Sequence, residues 1–497
     1  MKFKSLYILF FLFLIVSCQS DQKSKDNKQE ALKKYTELDA LTSVSEVYDT
    51  YKNSEDYLIK GLFYPANLLS QDLNLWGNEG TYFKTFDIPA DYSPLDKFWS
   101  LSYEGISNAN KALALLDQLI QQKIIAHKLG NRLKAECYFN RGLLYFYLAS
   151  NFGNVPLILN TKDTLKEQSP EKEVFEQVVK DFNLAKDFLP FSYPEKTDLG
   201  RATKGAVLAY LGETYMWLRQ YEEALNTFKE LEGHYTLMPK FIEINSFKHQ
   251  NNEESIFEIQ FNGNDNLGWG RDNYSTFIQS FALPTEVGGS GLVFVNPKLY
   301  KSFSKTDSRK RASIIAPGET HPNPNTHISS YNRVQEKFKG INTLGTKNKP
   351  WKGEDNSRSG YYNLKTWRTP DPNASASPVF SKANVILMRY GQVLLDIAEC
   401  ELRLNNPIQA LKNINKIRKR AGLKAVNSKN LEDKLFNEYR HELVGDYSLW
   451  YILRRSGNYQ KYLKENFDIS LKPGHKLLPI PTVQLKLNGK LKQNIGY

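Results

Sequence analysis

Aromatic and polar side chains suited to sugar binding occur in segments of this chain that lack helical periodicity. Flat aromatic faces stack on the C–H surfaces of sugar rings, and carboxylate, amide and guanidinium groups bind hydroxyls. These segments therefore predict a binding site for an oligosaccharide. The alternative is that the aromatic residues pin long loops to the core. The candidate residues are Asp72, Trp76, Asn78, Tyr82, Trp269, Arg271, Tyr274, Trp351 and Trp367.

Five other residues that could bind or react are predicted to be buried instead. Trp99, Trp217 and Trp450 fall on apolar stripes of helical period, which is typical of core positions. Cys137 and Cys400 lie in similar patterns, and a buried thiol acts as a small hydrophobe. We expect neither cysteine to react.

Two short segments resemble motifs of hydrolytic enzymes, but each lacks one of the residues that its motif requires. His441 and Glu442 start like a zinc-protease helix, but Gly445 stands where the second histidine ligand belongs. The segment Gly288–Gly291 resembles a nucleophile elbow, but Leu292 replaces its final glycine. No feature marks a pair of carboxylates for glycoside hydrolysis. The sequence therefore predicts a protein that is not an enzyme.

Metal-ligand spacing is likewise missing. The seven histidines form no ligand pattern beyond the loose pair His321 and His327. Asparagines alternate between positions 262 and 266 like the start of a calcium loop, but they supply no carboxylate, and Leu267 replaces the turn glycine. We therefore predict no bound metal and no cofactor.

Composition is typical of a folded globular body. The chain has 497 residues, of which 41% are hydrophobic and 13% aromatic. The formal net charge is +12, but basic residues are interspersed with acidic ones along the chain and form no long basic block. Nucleic-acid binding needs clustered basic residues, so no nucleic-acid partner is predicted.

The N-terminus predicts export and lipid attachment. Residues 1–17 contain Lys2 and Lys4 followed by the apolar run Leu6–Val16, which is the layout of a signal peptide. Cys18 follows where this run stops and resembles the lipidated cysteine of a bacterial lipobox. The alternative is an ordinary signal sequence with a chance cysteine. Residues 18–30 are polar and predict a flexible tether.

A helical hairpin over Lys204–Leu231 is the clearest element of the chain. It follows the tetratricopeptide pattern, in which Gly212 and Ala224 allow two helices to approach and Tyr215 and Phe228 fill the groove between them. One such hairpin cannot bury its own apolar face and needs stacked neighbours. Periodicity predicts further helices over 31–60, 93–120, 129–149, 169–189, 386–404, 407–421 and 431–444.

Between residues 232 and 383 the helical pattern fades and Gly, Asn, Pro and Ser increase. Residues 255–261 alternate and predict a strand. Residues 61–92 and 478–497 are predicted to be irregular or extended. The predicted fold is mainly α-helical, with a loop-rich insertion that carries short strands and the aromatic candidates.

Several short motifs occur in order along nearly the whole chain. They are the lipobox Cys18, Trp99 with Tyr103, Ile106, Ala109 and Asn110, Phe152–Leu157, Glu254–Phe257, Arg389-Tyr390, Ala398-Glu399, Ile414–Leu423, Glu438 with Arg440, Glu442 and Leu443, Pro479–Pro481, and Gln493–Tyr497. Each is weak alone, but their order and spacing together resemble the SusD/RagB family of nutrient-binding outer-membrane lipoproteins of Bacteroidetes.

The chain departs from the family pattern near its C-terminus. Ile495 stands where the family usually has proline, and Tyr439 stands where it usually has arginine. Tyr447, Leu449 and Ile452 replace a glycine, an arginine and an aspartate. The last two would pair across one helical turn, so we expect an apolar substitute for a structural ion pair.

The resemblance implies a single mostly helical body over residues 31–497, with tetratricopeptide-like hairpins and a binding face made from inserted loops. It also implies a partner, a SusC-like TonB-dependent β-barrel of the outer membrane, over which the lipoprotein sits as a lid. Asp21, close after Cys18, favours the cell exterior. The expected function is capture of a glycan and its delivery to the barrel. A RagB-like peptide receptor and a helical scaffold without a small ligand remain the alternatives.

Overall fold

A computed structural model describes residues 35–163, 165–261, 282, 290–316, 319, 359–366 and 383–497. The signal peptide, Cys18 and the tether lie outside these residues. Within the described ranges, every helix is too short or too polar to span a membrane.

The N-terminal part begins with helix α1 (Glu37–Tyr48), a 3₁₀ turn (Asp49–Lys52), a π-helix (Ser54–Phe63) and the short helix α2 (Tyr64–Leu68). Strand β1 (Leu73–Leu75) and helix α3 (Asn78–Thr85) follow. The prediction of an irregular segment over 61–92 was therefore wrong. These elements are too short to show a period, and their form depends on packing against distant parts of the chain.

Two long helices form the centre of the N-terminal half. Helix α4 (Ser93–Gln121) begins with Pro94 in its first turn, where the missing N–H costs nothing, and α5 (His127–Phe152) packs along it. The predicted stripe of α4 is buried at Leu95, Phe98 and Trp99 and continues along the helix. The periodicity thus identified both helices and the buried face of α4, whereas α5 is buried on nearly all sides from Ala135 to Phe152.

The tetratricopeptide-like hairpin forms as predicted. Helix α6 (Glu171–Lys186) packs on α5 and on α7 (Lys204–Trp217), and α7 pairs with α8 (Tyr221–Lys229). A Cβ atom on Gly212 would lie 2.4 Å from Cε1 of Phe228, so only glycine allows this approach. A Cβ on Gly142 would lie 2.8 Å from Phe182, the same device between α5 and α6.

The C-terminal half is also helical. Helices α9 (Pro297–Ser302) and α10 (Ser308–Ser313) lie within the loop-rich part. They are followed by α11 (Tyr390–Arg403), α12 (Pro407–Arg420), α13 (Leu431–Glu442), α14 (Leu449–Ser456), α15 (Tyr459–Phe467) and α16 (Thr482–Leu487). The prediction of an extended tail after residue 478 missed α16.

Three antiparallel strand pairs connect distant segments within the described residues. Strand β1 pairs with β3 (Val293–Val295), β2 (Ser255–Ile259) with β6 (Val385–Arg389), and β4 (Ile314–Ile315) with β5 (Tyr362–Asn363). Strand β2 confirms the strand predicted at 255–261. The helix predicted from residue 386 begins only at Tyr390, because a short buried apolar run fits a strand as well as a helix.

Most residues predicted to be buried are buried. Cys137 and Cys400 are free buried thiols. Trp99 and Trp450 belong to the main core, whereas Trp217 is half-buried and stacks on Phe175 with ring centroids 4.8 Å apart.

Candidate functional site

Trp76 combines a fixed backbone with an exposed ring. It follows β1, whose Leu73 and Leu75 pair with Val295 and Val293 of β3. The Trp76 N–H extends this pairing by donating to the Leu292 carbonyl at 2.8 Å. The side chain is nevertheless 42% exposed, although the other exposed large hydrophobic residues that the structure describes are more exposed. An indole held in this way offers a flat apolar face to solvent at little cost in conformational entropy.

Two further candidates lie on the helix that follows. Gly77, at φ +87°, turns the chain from β1 into α3. Asn78 begins α3 and is exposed, and Tyr82 lies one turn later, half-buried, with its ring 5.8 Å from that of Tyr92. Positions four apart share one face of a helix. We call Trp76, Asn78 and Tyr82 the Trp76 platform.

Helix α3 is packed closely against β1. A Cβ atom on Gly80 would lie 1.7 Å from the Leu75 carbonyl oxygen, so this glycine permits the contact. The Tyr92 hydroxyl donates to Glu79 Oε2 at 3.1 Å and ties α3 to the start of α4. Strand β1, the turn at Gly77 and helix α3 therefore form one closely packed unit, and this unit carries the three residues of the Trp76 platform.

Asp72 differs from the other candidates because it points into the protein. It is 2% exposed, and its Oδ1 accepts a hydrogen bond from Arg440 Nη2 at 2.7 Å. The Tyr462 hydroxyl donates to its Oδ2. Burial alone would lower the pKa of Arg440, but Asp72 and Tyr462 raise it. This placement supports the alternative interpretation for Asp72, in which the residue ties a loop to the core.

The remaining five candidates, Trp269, Arg271, Tyr274, Trp351 and Trp367, lie outside the described residues. Some described residues of the loop-rich part nevertheless lie beside the Trp76 platform. Leu292 contacts the Trp76 backbone, and the Val295 N–H donates to the Tyr361 carbonyl at 2.8 Å. Two connections of the loop-rich part are thus anchored next to the exposed indole.

A buried ionic network supports this region, and sequence reasoning did not foresee it. Arg389 Nη1 lies 2.6 Å from Glu442 Oε1 and 2.8 Å from Glu254 Oε1. Arg420 Nη1 lies 3.0 Å from the other oxygen of Glu254. Arg309, which precedes β4, lies 3.3 Å from Glu442 Oε2. Four of these residues occur in the motifs that suggested the family, but no single-sequence pattern predicts that they meet.

The charges in this network are strongly coupled. Burial alone would raise the pKa of Glu442, but the guanidinium groups of Arg420, Arg389 and Arg309 hold it well below its usual range. Burial lowers the pKa of Lys365 to about 8, although Asp446 Oδ1 is 2.9 Å from its Nζ and opposes the shift. Because Lys365 follows β5, the network fixes the loop-rich part to the helical body.

Metal binding has no support within the described ranges. There, no group of three or more His, Cys, Asp or Glu side chains is arranged to hold a metal ion. The carboxylates of the ionic network are instead paired with guanidinium groups in the core.

Comparisons with known proteins provide evidence on the family and the fold of the chain. The profile of the SusD family matches residues 253–497, and a profile described as starch-binding and associating with the outer membrane matches residues 13–216. The SusD-like protein P25 of Formosa agariphila is 25% identical, with 99% of each chain aligned. The SusD-like protein P2 of the same organism is also 25% identical, over 86% of this chain and 87% of that protein.

Solved structures share the fold. A laminarin-binding SusD-like protein has a TM-score of 0.74 at 24% identity, over 93% of this chain and 100% of the other. Surface glycan-binding protein A from Bacteroides thetaiotaomicron, solved with laminarihexaose, also has a TM-score of 0.74, at 21% identity over 93% of this chain and 100% of the other. The two profiles, the full-length relatives and the common fold show that this mainly α-helical chain belongs to the SusD family.

Proposed function

We propose that this protein captures a glycan on the Trp76 platform and passes it, unchanged, to a SusC-like TonB-dependent barrel in the outer membrane. The observation that carries the proposal is the exposed indole of Trp76, held by the β1–β3 pairing where the loop-rich part is anchored. A rigid aromatic face loses little entropy when a sugar ring stacks on it. The amide of Asn78 and the hydroxyl of Tyr82 supply hydrogen bonds beside it.

Attachment to the outer membrane is part of the proposal. A profile described as associating with the outer membrane matches the N-terminal part of the chain. A lipid on Cys18 would anchor the mature protein, and the polar tether would let the helical body reach a barrel beside it. Orientation toward the cell exterior follows from the role of a receptor that meets its ligand before transport.

Calorimetric titration with a panel of glycans tests the binding step. A β-glucan oligosaccharide such as laminarihexaose is the first ligand to use, because it is the one named for a structural neighbour. We expect Trp76→Ala to weaken binding roughly tenfold, because truncating an aromatic residue at the centre of a binding site typically costs about 1–2 kcal/mol. Phe188→Ala is the control, because Phe188 is 51% exposed but lies on the segment after α6.

Two outcomes would contradict the proposal. Tight binding of peptides with no binding of any glycan would favour the RagB-like peptide receptor. Normal glycan-dependent growth and normal barrel capture by the Trp76→Ala variant would favour a scaffold that binds no small ligand. Capture of the barrel from outer membranes by the tagged protein measures the partnership separately from glycan binding.

A further inference from the structure

A cleft of about 610 Å³, lined mostly by polar and charged residues, contains no residue of the Trp76 platform. The link between α9 and α10 forms one wall, and the end of α12, the following loop and α13 form the other. Its volume is within the range of small-molecule sites. The lining residues are Ser302, Ser304, Thr306, Asp307, Arg418, Gly422, Leu423, Lys424, Lys434, Asn437, Glu438, Arg440, His441 and Asn466.

The cleft and the platform share no lining residue, and a buried ion pair separates them. Arg440 lines the cleft, and its guanidinium turns inward to Asp72, which precedes β1. The two sites therefore lie on either side of the Asp72–Arg440 pair. A ligand in the cleft would contact α12 and α13 and not α3.

Positive charge exceeds negative charge along the cleft. Its two carboxylates are already paired: Asp307 with Arg309, at 2.8 Å, and Glu438 with Arg309 and Arg418. Lys424 and Lys434 form no ion pair with any carboxylate that the structure describes. The Lys434 ammonium instead donates to Asn427 Oδ1 at 2.7 Å, and Lys424 is exposed. Two lysines that line the cleft thus lack an anionic partner among the described residues.

His441 of α13 also lines the cleft. Its ring stacks on Phe303 with centroids 4.1 Å apart, and its Nε2 lies 2.9 Å from Ser302 Oγ. Burial first, and then the guanidinium groups of Arg309, Arg440 and Arg418, lower the pKa of His441 well below its usual value. The ring is therefore neutral at pH 7 and is available for hydrogen bonding only.

The opposite wall supplies hydrogen-bonding groups without charge. Ser302, Ser304 and Thr306 offer hydroxyls, and Asn437 offers an amide across the cleft. Hydroxyls and amides match the hydroxyls of a sugar ring, and ammonium groups match a carboxylate or a sulfate ester. A concave site with a net positive charge also concentrates anionic ligands.

We infer that this cleft is a second binding site, for a saccharide unit that carries a carboxylate or a sulfate group. The inference that the anionic group belongs to a saccharide rests on the proposed function. The anionic group would lie between Lys424 and Lys434, with ring hydroxyls toward Ser302, Thr306 and Asn437.

The test compares neutral, carboxylated and sulfated oligosaccharides of equal length on the full mature chain. The variant is Lys424→Gln with Lys434→Gln. The control is Lys412→Gln with Lys416→Gln, which removes the same charge from exposed positions of α12 outside the cleft. We expect the cleft variant to bind the anionic oligosaccharides roughly tenfold more weakly, with a smaller salt dependence, and the control to bind like the natural protein.

The ring resonances of His441 provide a second measurement. We expect an anionic oligosaccharide to shift them in the natural protein and in the control, but not in the cleft variant. Equal affinity of the cleft variant and the control for the anionic ligands would overturn the inference, as would binding of neutral glycans only. If the natural protein binds neutral oligosaccharides and Trp76→Ala does not, the proposed function stands whatever the result for the cleft. If the natural protein binds no oligosaccharide, both the proposed function and this inference are refuted.

Discussion

At the scale of single residues, Asp72 and Trp76 show how neighbours in sequence acquire different roles. Both lie in the segment that sequence reasoning assigned to the ligand, yet Asp72 is 2% exposed and Trp76 is 42% exposed. The partner that decides the role of Asp72 is Arg440, 368 positions later in the chain. No local pattern reveals such a partner, so the sequence alone could not predict that Asp72 points into the core.

Asp72→Asn tests this division of roles. The substitution leaves the guanidinium of Arg440 buried without a counter-charge, and breaking a buried ion pair in this way costs about 3–5 kcal/mol. We expect a clearly lower midpoint of urea unfolding and an unchanged glycan affinity of the folded protein. Asn78→Ala is the complementary change, because Asn78 is exposed at the start of α3. It should weaken glycan binding with little effect on stability.

The opposite pattern would reassign Asp72 to the ligand. Loss of glycan affinity by Asp72→Asn, with an unfolding midpoint like that of the natural protein, would mean that the carboxylate contacts the sugar and that Arg440 finds another partner.

At the scale of elements, long periodic helices were predictable and short elements were not. The stripe of α4 and the small residues of the α7–α8 hairpin carry their own signal, because each repeats at the period of a helix. The apolar sequence of strand β6 fits the start of a helix equally well unless its pairing with β2 is known. Strand β1 likewise forms by pairing with β3. Pairing between distant segments therefore accounts for most of the fold that sequence reasoning missed.

Gly212→Ala tests the packing of the hairpin. The added methyl group would lie 2.4 Å from the Phe228 ring, and overpacking of this kind costs about 1–3 kcal/mol. Gly489→Ala is a matched control, because no atom lies within 4 Å of a Cβ at that position. We expect only Gly212→Ala to lower the free energy of unfolding, and Phe228→Leu in the same chain should restore part of the loss. Additive effects of the two substitutions would contradict the direct contact.

At the scale of the whole molecule, buried charges join parts of the chain that are far apart in sequence. One network joins Glu254 after the hairpin, Lys365 of the loop-rich part and Glu442 of α13. A second cluster lies where α7, α11, α13 and α14 meet. There Arg455 Nη2 is 3.1 Å from both Asp396 Oδ1 and Glu399 Oε2, while Glu213 accepts from Gln392. Among the described residues, the second cluster has three carboxylates and two guanidinium groups, because Arg403 Nη2 also lies 3.8 Å from Glu399 Oε1.

A departure from the family pattern contributes to this imbalance. Tyr439 stands where the family usually has arginine, and its hydroxyl donates to Asp396 Oδ1 at 2.7 Å. A phenol supplies the hydrogen bond but not the positive charge. Burial raises the pKa of Glu213 to about 7, Glu399 adds to the shift, and Arg455 and Gln392 oppose it. Burial and then Glu213 raise the pKa of Asp396 as well.

This cluster predicts that stability falls as the pH rises through the weakly acidic range. The pKa of an unperturbed glutamate is about 4.5 and that of Glu213 in the fold is about 7, so between these pH values the folded state binds more protons than the unfolded state. The free energy of unfolding should therefore decrease over that interval, on the order of 1–3 kcal/mol. The network around Glu442 acts in the opposite direction and in another range, because its lowered pKa makes stability fall only as the pH drops below about 4.5.

Urea unfolding at a series of pH values, with Glu213→Gln beside the natural protein, measures the effect. Glutamine keeps the shape and stays neutral, so the variant should lose much of the decrease between pH 4.5 and pH 7 while keeping the loss of stability in stronger acid. Tyr439→Arg should also flatten the curve if its guanidinium can reach Asp396, since it restores a cation to the cluster. Identical slopes for Glu213→Gln and the natural protein would mean that Glu213 stays ionised in the fold, and that Arg455 and Arg403 suffice for all three carboxylates.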